Sequence, residues 1–421
     1  MPVLRRVSDE CAISYAAPHA AAEDVVRLGA IQSRAAAAAA VAGRHAEAVD
    51  AEARFPKEAL DAIRAHGLLG AMVPVRLGGE GATITDIAGA CFRLGSACSS
   101  SAMIFAMHQV KVACLLRHGQ GNEVRESMLR ALAERQLLFA SSTTEGGNGG
   151  DIRSSDAAVV RDEDGFTYGR EASVISYGDY ADGLVTTARR APDAASADQV
   201  LLVLMRSDYS LQAKQGWETL GMRGTCSRGF RVEAKGTADQ ILDEPYSRIH
   251  SHTMMPVAHL LWSSAWAGIA ANAVERARLF TRGATQQSGG KTPPGAPHLT
   301  QAQKSLANLL NQIRASLRDF EAVSTDERAL TAVGFQTAMN LLKVEASEKT
   351  VETVMSAMRA CGLAGYRNDT PFSMGRLLRD ALSSPIMINN ERILAGIGAS
   401  GLLAPTPALV ADEPRGRTAH G

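Results

Sequence analysis

The spacing of apolar residues changes twice along the chain. Up to about residue 136 the apolar positions recur at helical spacing, and residues 21–53 are dominated by alanine, the strongest helix former. From 138 to 244, short runs rich in β-branched residues alternate with turn clusters, which is typical of strands. After Arg248 the helical spacing returns. The long candidate helices there cover residues 257–280, 301–317, 338–361 and 384–399. The pattern predicts an α+β protein in three parts.

The two changes in spacing define the expected domain boundaries. We expect a helical N-terminal domain at residues 1–137, of which the first 20 or more residues are predicted to be flexible. A middle β domain is expected at 138–246, followed by a helical bundle at 247–404, because long helices joined by short loops favour antiparallel packing. The tail at 405–421 is predicted to be disordered.

Composition narrows the functional classes without naming one. Lys plus Arg and Asp plus Glu both number 44, and aromatic residues are only 5% of the 421 residues, so neither nucleic acid nor an anionic membrane is an expected partner. The six cysteines form no CxxC and the ten histidines form no HExxH, so no metal site is expected. No charge-free apolar run reaches about 18 residues. These features predict a soluble cytoplasmic protein.

The most distinctive stretch is LFASSTTEGGNGGDI, residues 138–152. A short apolar run fits a buried strand, and the glycine cluster that follows fits a turn at which the backbone approaches something closely. Hydroxyls followed by glycine N–H groups suit either the polar edge of a heteroaromatic ring or a phosphate. The stretch alone leaves both ligands open.

Four stretches in order and spacing resemble one family of flavoproteins. FPKEALDAIRAHGLLGAMVP (55–74) is similar to its N-terminal helix and turn, and TTEGGNGGD (143–151) resembles its flavin-binding TEPGAGSD. ETLGMRGTCS (218–227) is similar to LGMRGTxS, and ACGLAGYRNDTPFSMGRLLRDA (360–381) resembles GGxGY…RLxRDA. Through them the chain resembles the acyl-CoA dehydrogenase family over about 53–403. The resemblance implies an N-terminal helical domain, a β-barrel-like middle domain and a C-terminal four-helix bundle.

The resemblance also implies a cofactor and a reaction. FAD is expected between the β domain and the C-terminal bundle of a homodimer or homotetramer, and Arg282 matches an arginine that reaches the FAD of a neighbouring subunit. The implied reaction is α,β-dehydrogenation of an acyl thioester on CoA or on a carrier protein. A base removes the α-proton and the β-hydrogen leaves as hydride to flavin N5. Electrons then pass to an electron-transfer flavoprotein or another acceptor.

The resemblance assigns flavin contacts to particular residues. Ser141, Thr143 and Thr144 match positions that hydrogen-bond the isoalloxazine edge. Val174 stands where the family has an aromatic residue, and Gly150 stands where it has a serine that touches the pyrophosphate. The expected flavin-binding residues are Ser141, Thr143, Thr144, Gly149, Gly150, Val174, Ser176, Arg282, Gly362, Gly365 and Asn390.

The catalytic base departs from the family pattern. The usual glutamate follows the Arg-Asp pair by seven to nine residues, and that position falls on Ile388, which cannot accept a proton. A minority of the family carries the base on the long helix after the β domain, where the matching residue is His259. His259, Trp262 and Trp266 share a helix face at i, i+3 and i+7. His259 is therefore the first candidate base and Glu391 the second. The alternative for His259 is a packed histidine satisfied by a carbonyl.

Three functions remain in competition. The first is the dehydrogenase described above. The second is a flavin monooxygenase on the same fold, in which reduced flavin activates oxygen and no α-proton base is needed. Relatives of that kind often carry histidines near the Arg-Asp segment, and this chain has none between His298 and His420. The third is a non-catalytic flavoprotein subunit of a hetero-oligomer, which the isoleucine at position 388 favours.

Overall fold

The computed structural model of the chain describes residues 22–145, 152–163, 165–242 and 244–401. Its N-terminal part is helical because alanine-rich and amphipathic segments are separated by capping residues. The Thr83 side chain accepts from the Asp86 amide, and the Asp86 carboxylate accepts from the Thr83 amide, which starts one helix sharply. The helices are α1 (Ala22–Ala51), α2 (Lys57–Ala65), α3 (Ile84–Gly95), α4 (Ser99–His118) and α5 (Glu123–Arg135).

Helix α4 is the centre of this part of the molecule. It is long and apolar enough to cross a membrane by composition, but nearly all of it lies inside the protein, so it is a core helix. Its buried polar residues are satisfied locally: His108 Nε2 donates to Leu69 O at 3.0 Å, while His108 Nδ1 accepts from Phe139 N at 3.0 Å. Through Phe139 the helix is fixed to the first strand of the next domain.

The middle domain contains two four-stranded sheets within the described residues, and the observed strands lie inside the expected range 138–246. In chain order the strands are β1 (Phe139–Ser142), β2 (Val159–Arg161), β3 (Phe166–Ile175), β4 (Gly183–Arg189), β5 (Gln199–Met205), β6 (Tyr209–Gln215), β7 (Arg228–Gly236) and β8 (Ile241–Leu242). The sheet orders are β1-β4-β5-β8 and β2-β3-β7-β6, with β1 and β4 parallel and the other pairs antiparallel.

Strands β3 and β6 lie outside the β-branched runs in the sequence, which cover residues 157–160, 184–187, 200–205, 230–232 and 241–242. Strand β3 alternates buried and exposed residues along its length, so its apolar residues never form a run. Strand β6 is an edge strand with mostly exposed polar residues. Both are held by pairing with β7 rather than by a local signal.

The C-terminal part consists of three long helices and several short ones. A π-helical turn (His250–Met254) lies between the first two helices. The helices are α6 (Tyr246–Ile249), α7 (Met255–Gln287), α8 (Ala296–Val323), α9 (Glu327–Thr331), α10 (Val333–Cys361), α11 (Leu363–Tyr366), α12 (Gly375–Ala381) and α13 (Asn390–Gly401). Helices α7, α8 and α10 pack on one another, and α13 packs on α10 as a shorter fourth member.

The last helix was predicted too early. The predicted helix at 384–399 is wrong at its start, because α13 begins at Asn390. Ile388 lies two residues before this helix, and its backbone φ of +48° is in the left-handed region. A residue in that conformation cannot belong to a right-handed helix. Pro385 also lies in this turn segment and supplies no backbone N–H.

Two close approaches hold the three parts together. Helices α3 and α7 cross at glycines: a Cβ on Gly95 would lie 2.2 Å from Ala265 O, and a Cβ on Gly268 would lie 2.3 Å from Phe92 O. At the other joint, the buried Asp380 carboxylate of α12 accepts from the Met222 amide at 2.7 Å. The LGMRGTCS and RLLRDA segments therefore meet, and the role of Asp380 is structural.

Candidate functional site

The end of strand β1 presents a row of hydroxyls at an edge of the β domain. Ser141, Thr143 and Thr144 are half-buried as the chain leaves the strand. Thr144 Oγ1 accepts from Ser173 Oγ at 3.1 Å, which places the segment beside the end of β3. Gly149 and Gly150, two of the expected flavin-binding residues, lie outside the described residues.

A bulge in β3 completes this edge. The register of β3 with β7 shifts between Ala172 and Ile175, and Val174 is exposed there. Just beyond the strand, Ser176 Oγ accepts from Ser227 Oγ at 2.8 Å, and Ser227 in turn bonds Thr225 Oγ1 at 2.7 Å. The bulge thus sets an apolar side chain between two groups of hydroxyls. We call Ser141, Thr143, Thr144, Val174 and Ser176 the cradle.

A buried ion pair that the sequence did not reveal anchors the cradle. Arg170 Nε lies 3.3 Å from Glu145 Oε1, and both side chains are buried. Glu145 also accepts from Ser155 Oγ at 2.7 Å and from the Asp156 amide at 2.7 Å. Burial raises the pKa of Glu145, but the Arg170 guanidinium and these hydrogen bonds outweigh it and hold the pKa below its ordinary value. The sequence feature that could have revealed this ion pair is Arg170, a charged residue at an inward-facing position of β3.

Arg170 binds the last residue of β1 as well. Its Nη1 donates to Ser142 O at 3.2 Å and to Thr187 O at 2.6 Å. One guanidinium therefore connects β1, β4 and the segment that follows β1. The glutamate of the TTEGG motif serves this internal contact rather than facing a ligand.

The glycines near the end of α10 have separate roles. Gly362 ends the helix with φ at +55°, the left-handed region that favours glycine. A Cβ on Gly365 would lie 2.8 Å from the Cys361 side chain, so close packing requires a glycine there. Arg282 is exposed on the last turns of α7. The expected flavin contacts of these three residues stay predictions.

His259 lies on a buried face of α7 that looks toward α10. Its Nδ1 donates to Met339 O at 3.0 Å, and its ring centroid lies 6.0 Å from that of Trp262. Burial lowers the pKa of His259 to about 3, against the opposing effect of the Met339 carbonyl. The geometry matches the alternative of a packed histidine satisfied by a carbonyl. The assignment of His259 as the base stays a prediction, and this weak basicity weighs against it.

The other two residues near position 388 differ from expectation. Glu391 is exposed on α13. Asn390 is buried, and its amide is engaged by protein groups: Oδ1 accepts from Lys343 Nζ at 2.6 Å, and Nδ2 donates to Ser347 Oγ at 3.0 Å. The Asn390 side chain thus holds α13 against α10, because a buried amide must find partners. This arrangement therefore disfavours a contact between the Asn390 side chain and a flavin.

Lys343 is the residue at this face that the sequence did not single out. It is fully buried on α10, and Nζ donates to Ile388 O at 2.9 Å as well as to Asn390. Burial lowers its pKa to about 8, although the nearby carboxylates of Glu391 and Glu348 oppose the shift. A lysine within a helix is ordinarily exposed, so the sequence gave no indication that Lys343 is buried.

The residues described above therefore fall into two groups. The cradle residues come together at one edge of the β domain. His259, Lys343, Ile388 and Asn390 belong to a second group at the contact of α7, α10 and the segment before α13, which we call the bundle face. The hydroxyls and exposed valine of the cradle fit the polar edge and the face of a flavin ring.

Comparison with known proteins agrees with this architecture. The chain is 25% identical to cyclohex-1-ene-1-carbonyl-CoA dehydrogenase of Syntrophus aciditrophicus over 367 residues, which cover 85% of each chain. The solved structure of butyryl-CoA dehydrogenase from Megasphaera elsdenii has a TM-score of 0.72 at 19% identity and covers 91% of this chain and 99% of that one. FMN-bound TdsC of Paenibacillus sp. A11-2, a dibenzothiophene monooxygenase, has a TM-score of 0.75 at 18% identity and covers 91% and 98%.

Two family profiles match the outer domains. Residues 30–136 match "Acyl-CoA dehydrogenase, N-terminal domain", and residues 252–403 match "Acyl-CoA dehydrogenase, C-terminal domain". Together they span more than half of the chain, and the described middle domain lies between them. The expected three-part fold is confirmed, and the chain belongs to the acyl-CoA dehydrogenase family of flavoprotein oxidoreductases.

Proposed function

We propose that the chain is an FAD-dependent dehydrogenase that introduces an α,β double bond into an acyl thioester of CoA or of a carrier protein. The observation that carries the proposal is the cradle, in which hydroxyls flank the exposed Val174. Its relatives named as CoA-ester dehydrogenases match over most of both chains. FMN is the alternative cofactor, and chromatography of the flavin released by denaturation distinguishes the two.

The reaction divides the work between cofactor and protein. A bound flavin supplies the hydride acceptor. Ser141, Thr143 and Thr144 would orient the polar edge of the ring, and Val174 would cover one of its faces. The chain must also supply a proton acceptor for the α-carbon. Ile388 occupies the position that the resemblance assigns to this proton acceptor. Its hydrocarbon side chain cannot accept a proton, so the base must be carried by another residue.

The proposal includes a homodimer or homotetramer and an external electron acceptor such as an electron-transfer flavoprotein. Leu363, Tyr366 and Ile386, near the end of the bundle, are 71%, 74% and 74% exposed. Large apolar side chains so exposed favour burial against another subunit. The exposed Arg282 would then be free to reach a neighbour's FAD.

A flavin monooxygenase is the second candidate. At the bundle face, the described residues place no carboxylate in hydrogen-bond contact with Lys343 or with the backbone of Ile388. A reaction that begins with oxygen at reduced flavin needs no such carboxylate. The absence of the histidines typical of those relatives near Arg379 counts against this candidate.

Anaerobic mixing of the yellow holoprotein with a panel of acyl-CoA and acyl-carrier thioesters tests the proposal. Bleaching of the flavin absorbance by one member, without oxygen consumption, is the expected result. Hydroxylation that requires oxygen and a flavin reductase would instead identify the second candidate. Purified protein that carries no flavin, or flavin that no thioester bleaches, would contradict the dehydrogenase.

A further inference from the structure

A cleft that the proposed reaction does not use lies where α1, the end of α3, α7 and α12 meet. Its volume is about 570 Å³, which is within the range of small-molecule sites. None of its lining residues belongs to the cradle or to the bundle face. One wall consists of small residues, which leave the surface of α1 open to a ligand: Ala36, Ala39, Ala40, Gly43 and Ala97.

The charges that line the cleft are unequal. Among the described lining residues are three guanidiniums, those of Arg93, Arg276 and Arg376, and one carboxylate, that of Glu47. The Glu47 side chain is 70% exposed, and its Oε1 lies 3.1 Å from Arg376 Nε and 3.8 Å from Arg276 Nη2. Two guanidiniums thus share one exposed carboxylate, and the cleft keeps an excess of positive charge that favours an anionic ligand.

Arg376 is a buried cation with free donors at this cleft. Its side chain is only 6% exposed, and its Nε donates to Glu47 Oε1. None of the described residues forms a hydrogen bond with its two terminal nitrogens, and Nη1 lies 3.8 Å from Asp380 Oδ2. Burial opposes the charge of Arg376, but the carboxylates of Asp380 and Glu47 outweigh it and raise the pKa, so the guanidinium stays charged. Because buried donors ordinarily have acceptors, these nitrogens suit an anion in the cleft.

Arg276 is fixed beside Arg376 by protein groups. Its Nε donates to Asn272 Oδ1 at 2.9 Å, and its Nη1 donates to Ser373 O. Burial and then the charge of Arg376 lower the pKa of Arg276, while Glu47 opposes the shift. The two guanidiniums therefore repel each other, and an anion placed between them would relieve that repulsion. Two positioned guanidiniums are a common arrangement for binding phosphate.

The rest of the lining favours a flat ring over a sugar as the body of the ligand. Ser96 Oγ donates to Arg93 O at 2.7 Å, and Asn272 Nδ2 donates to Ser96 O at 2.5 Å, so these polar side chains already have protein partners. The alanine wall offers a ring face apolar contact and offers hydroxyls no partner. The exposed Arg93, whose Nε donates to Gln32 Oε1 at 3.1 Å, can stack on such a ring.

We propose that this cleft binds a nucleoside phosphate that is distinct from the flavin of the cradle. The phosphate replaces the Glu47 carboxylate between Arg276 and Arg376, and the base lies along the wall formed by Ala40 and its small neighbours. A free nucleotide and the nucleotide part of coenzyme A share this chemistry. The inference does not depend on the dehydrogenase proposal, because the two rest on different residues.

Calorimetric titration of the flavin-loaded protein with ADP tests the site. Wild type should bind ADP, and Arg276→Gln should weaken binding about tenfold or more, because a charged contact with phosphate is lost. Glu47→Gln should instead strengthen binding a few-fold, because the competing carboxylate is gone. Arg44→Gln is the matched control. Arg44 is exposed on α1 and does not line the cleft, so the affinity should stay within about twofold of wild type.

Further ligands and one further variant separate a nucleotide site from a simple anion site. Inorganic phosphate should bind more weakly than ADP. Ala40→Leu should weaken the binding of ADP but not of inorganic phosphate, because the larger side chain fills the space for the ring while leaving the charges in place. Coenzyme A that binds more tightly than ADP would identify the thioester carrier as the source of the ligand. Equal or weaker binding of coenzyme A would identify a free nucleotide.

Three results would overturn the inference. One is wild-type protein that binds no ADP at millimolar concentration. Another is an equal loss in Arg276→Gln and Arg44→Gln, which would mean general attraction by charge, or an affinity in Glu47→Gln that does not rise. The third is inorganic phosphate bound as tightly as ADP, which would reduce the cleft to an anion site. Each of these results would leave the dehydrogenase proposal intact, because flavin bleaching by thioesters tests that proposal separately.

Discussion

The cradle and the bundle face are built in opposite ways. The cradle residues all lie between positions 141 and 176, and the Thr144 and Ser176 hydroxyls bond serine hydroxyls of neighbouring segments. The bundle face joins α7, α10 and the segment before α13, which lie more than 40 residues apart in the chain. Its groups are buried, and two of them have pKa values far from ordinary. The cradle can thus be predicted from local sequence, whereas the chemistry of the bundle face depends on tertiary burial.

The largest expected effect comes from removing the buried ion pair that anchors the cradle. Arg170→Met leaves the buried Glu145 carboxylate without its cation and should cost about 3–5 kcal/mol of the free energy of unfolding, with loss of flavin. Urea unfolding of the holoprotein measures it. Glu171→Ala on the same strand removes an exposed pair with Lys214 and should cost less than about 1 kcal/mol. Equal costs for the two variants would mean that Arg170 is not an anchor.

A smaller effect is expected on the pH dependence of stability, through the two buried histidines. Burial lowers the pKa of His108 to about 4 and that of His259 to about 3, below their unfolded value of about 6.5. The folded state therefore binds fewer protons than the unfolded state between these values, so stability should fall as pH drops from about 6.5 toward 3. Between pH 7 and pH 4.5 the loss attributable to each should be on the order of 2–3 kcal/mol.

Unfolding by urea at pH 7 and pH 4.5 checks this prediction. Protonation of His108 Nδ1 would break its bond from the Phe139 amide, so the acid limb should be shallower in His108→Gln. An unchanged acid limb in that variant would assign the loss to other groups. His259→Gln should leave the rate of anaerobic flavin reduction within a few-fold of wild type, because a histidine with a pKa of about 3 is a weak base. A large loss of rate with flavin still bound would restore His259 as the base.

The smallest expected effect concerns the cradle hydroxyls. Thr144→Val keeps the shape of the side chain but removes one hydroxyl, and should weaken flavin binding by about 1 kcal/mol, roughly fivefold in Kd. Fluorescence titration of the apoprotein with FAD measures the change. Thr85→Val, in the first turn of helix α3, is the control and should leave the Kd unchanged. If both variants bind FAD as wild type does, the Thr144 hydroxyl does not contact the cofactor.

The sequence by itself determined the three-part fold and most of the cradle. Helical and strand spacing are local properties, and the TTEGG, GMRGTCS and RLLRDA segments carry their signals in consecutive residues. It missed β3 and β6, since a strand buried on one face has no apolar run and an edge strand is mostly polar. It also began the last helix too early, because the turn at Ile388 depends on contacts with α10.

Only the tertiary structure decided which ionisable groups are buried and therefore have shifted pKa values. The sequence offers His259 as a base because it matches a family position on the long helix, yet desolvation inside the bundle makes it a weak base. Lys343 resembled an ordinary helical lysine until packing removed it from water and brought its amine to position 388. Desolvation depends on every element that surrounds a group, so a sequence that specifies the helices one at a time does not reveal which of their charges will be buried together.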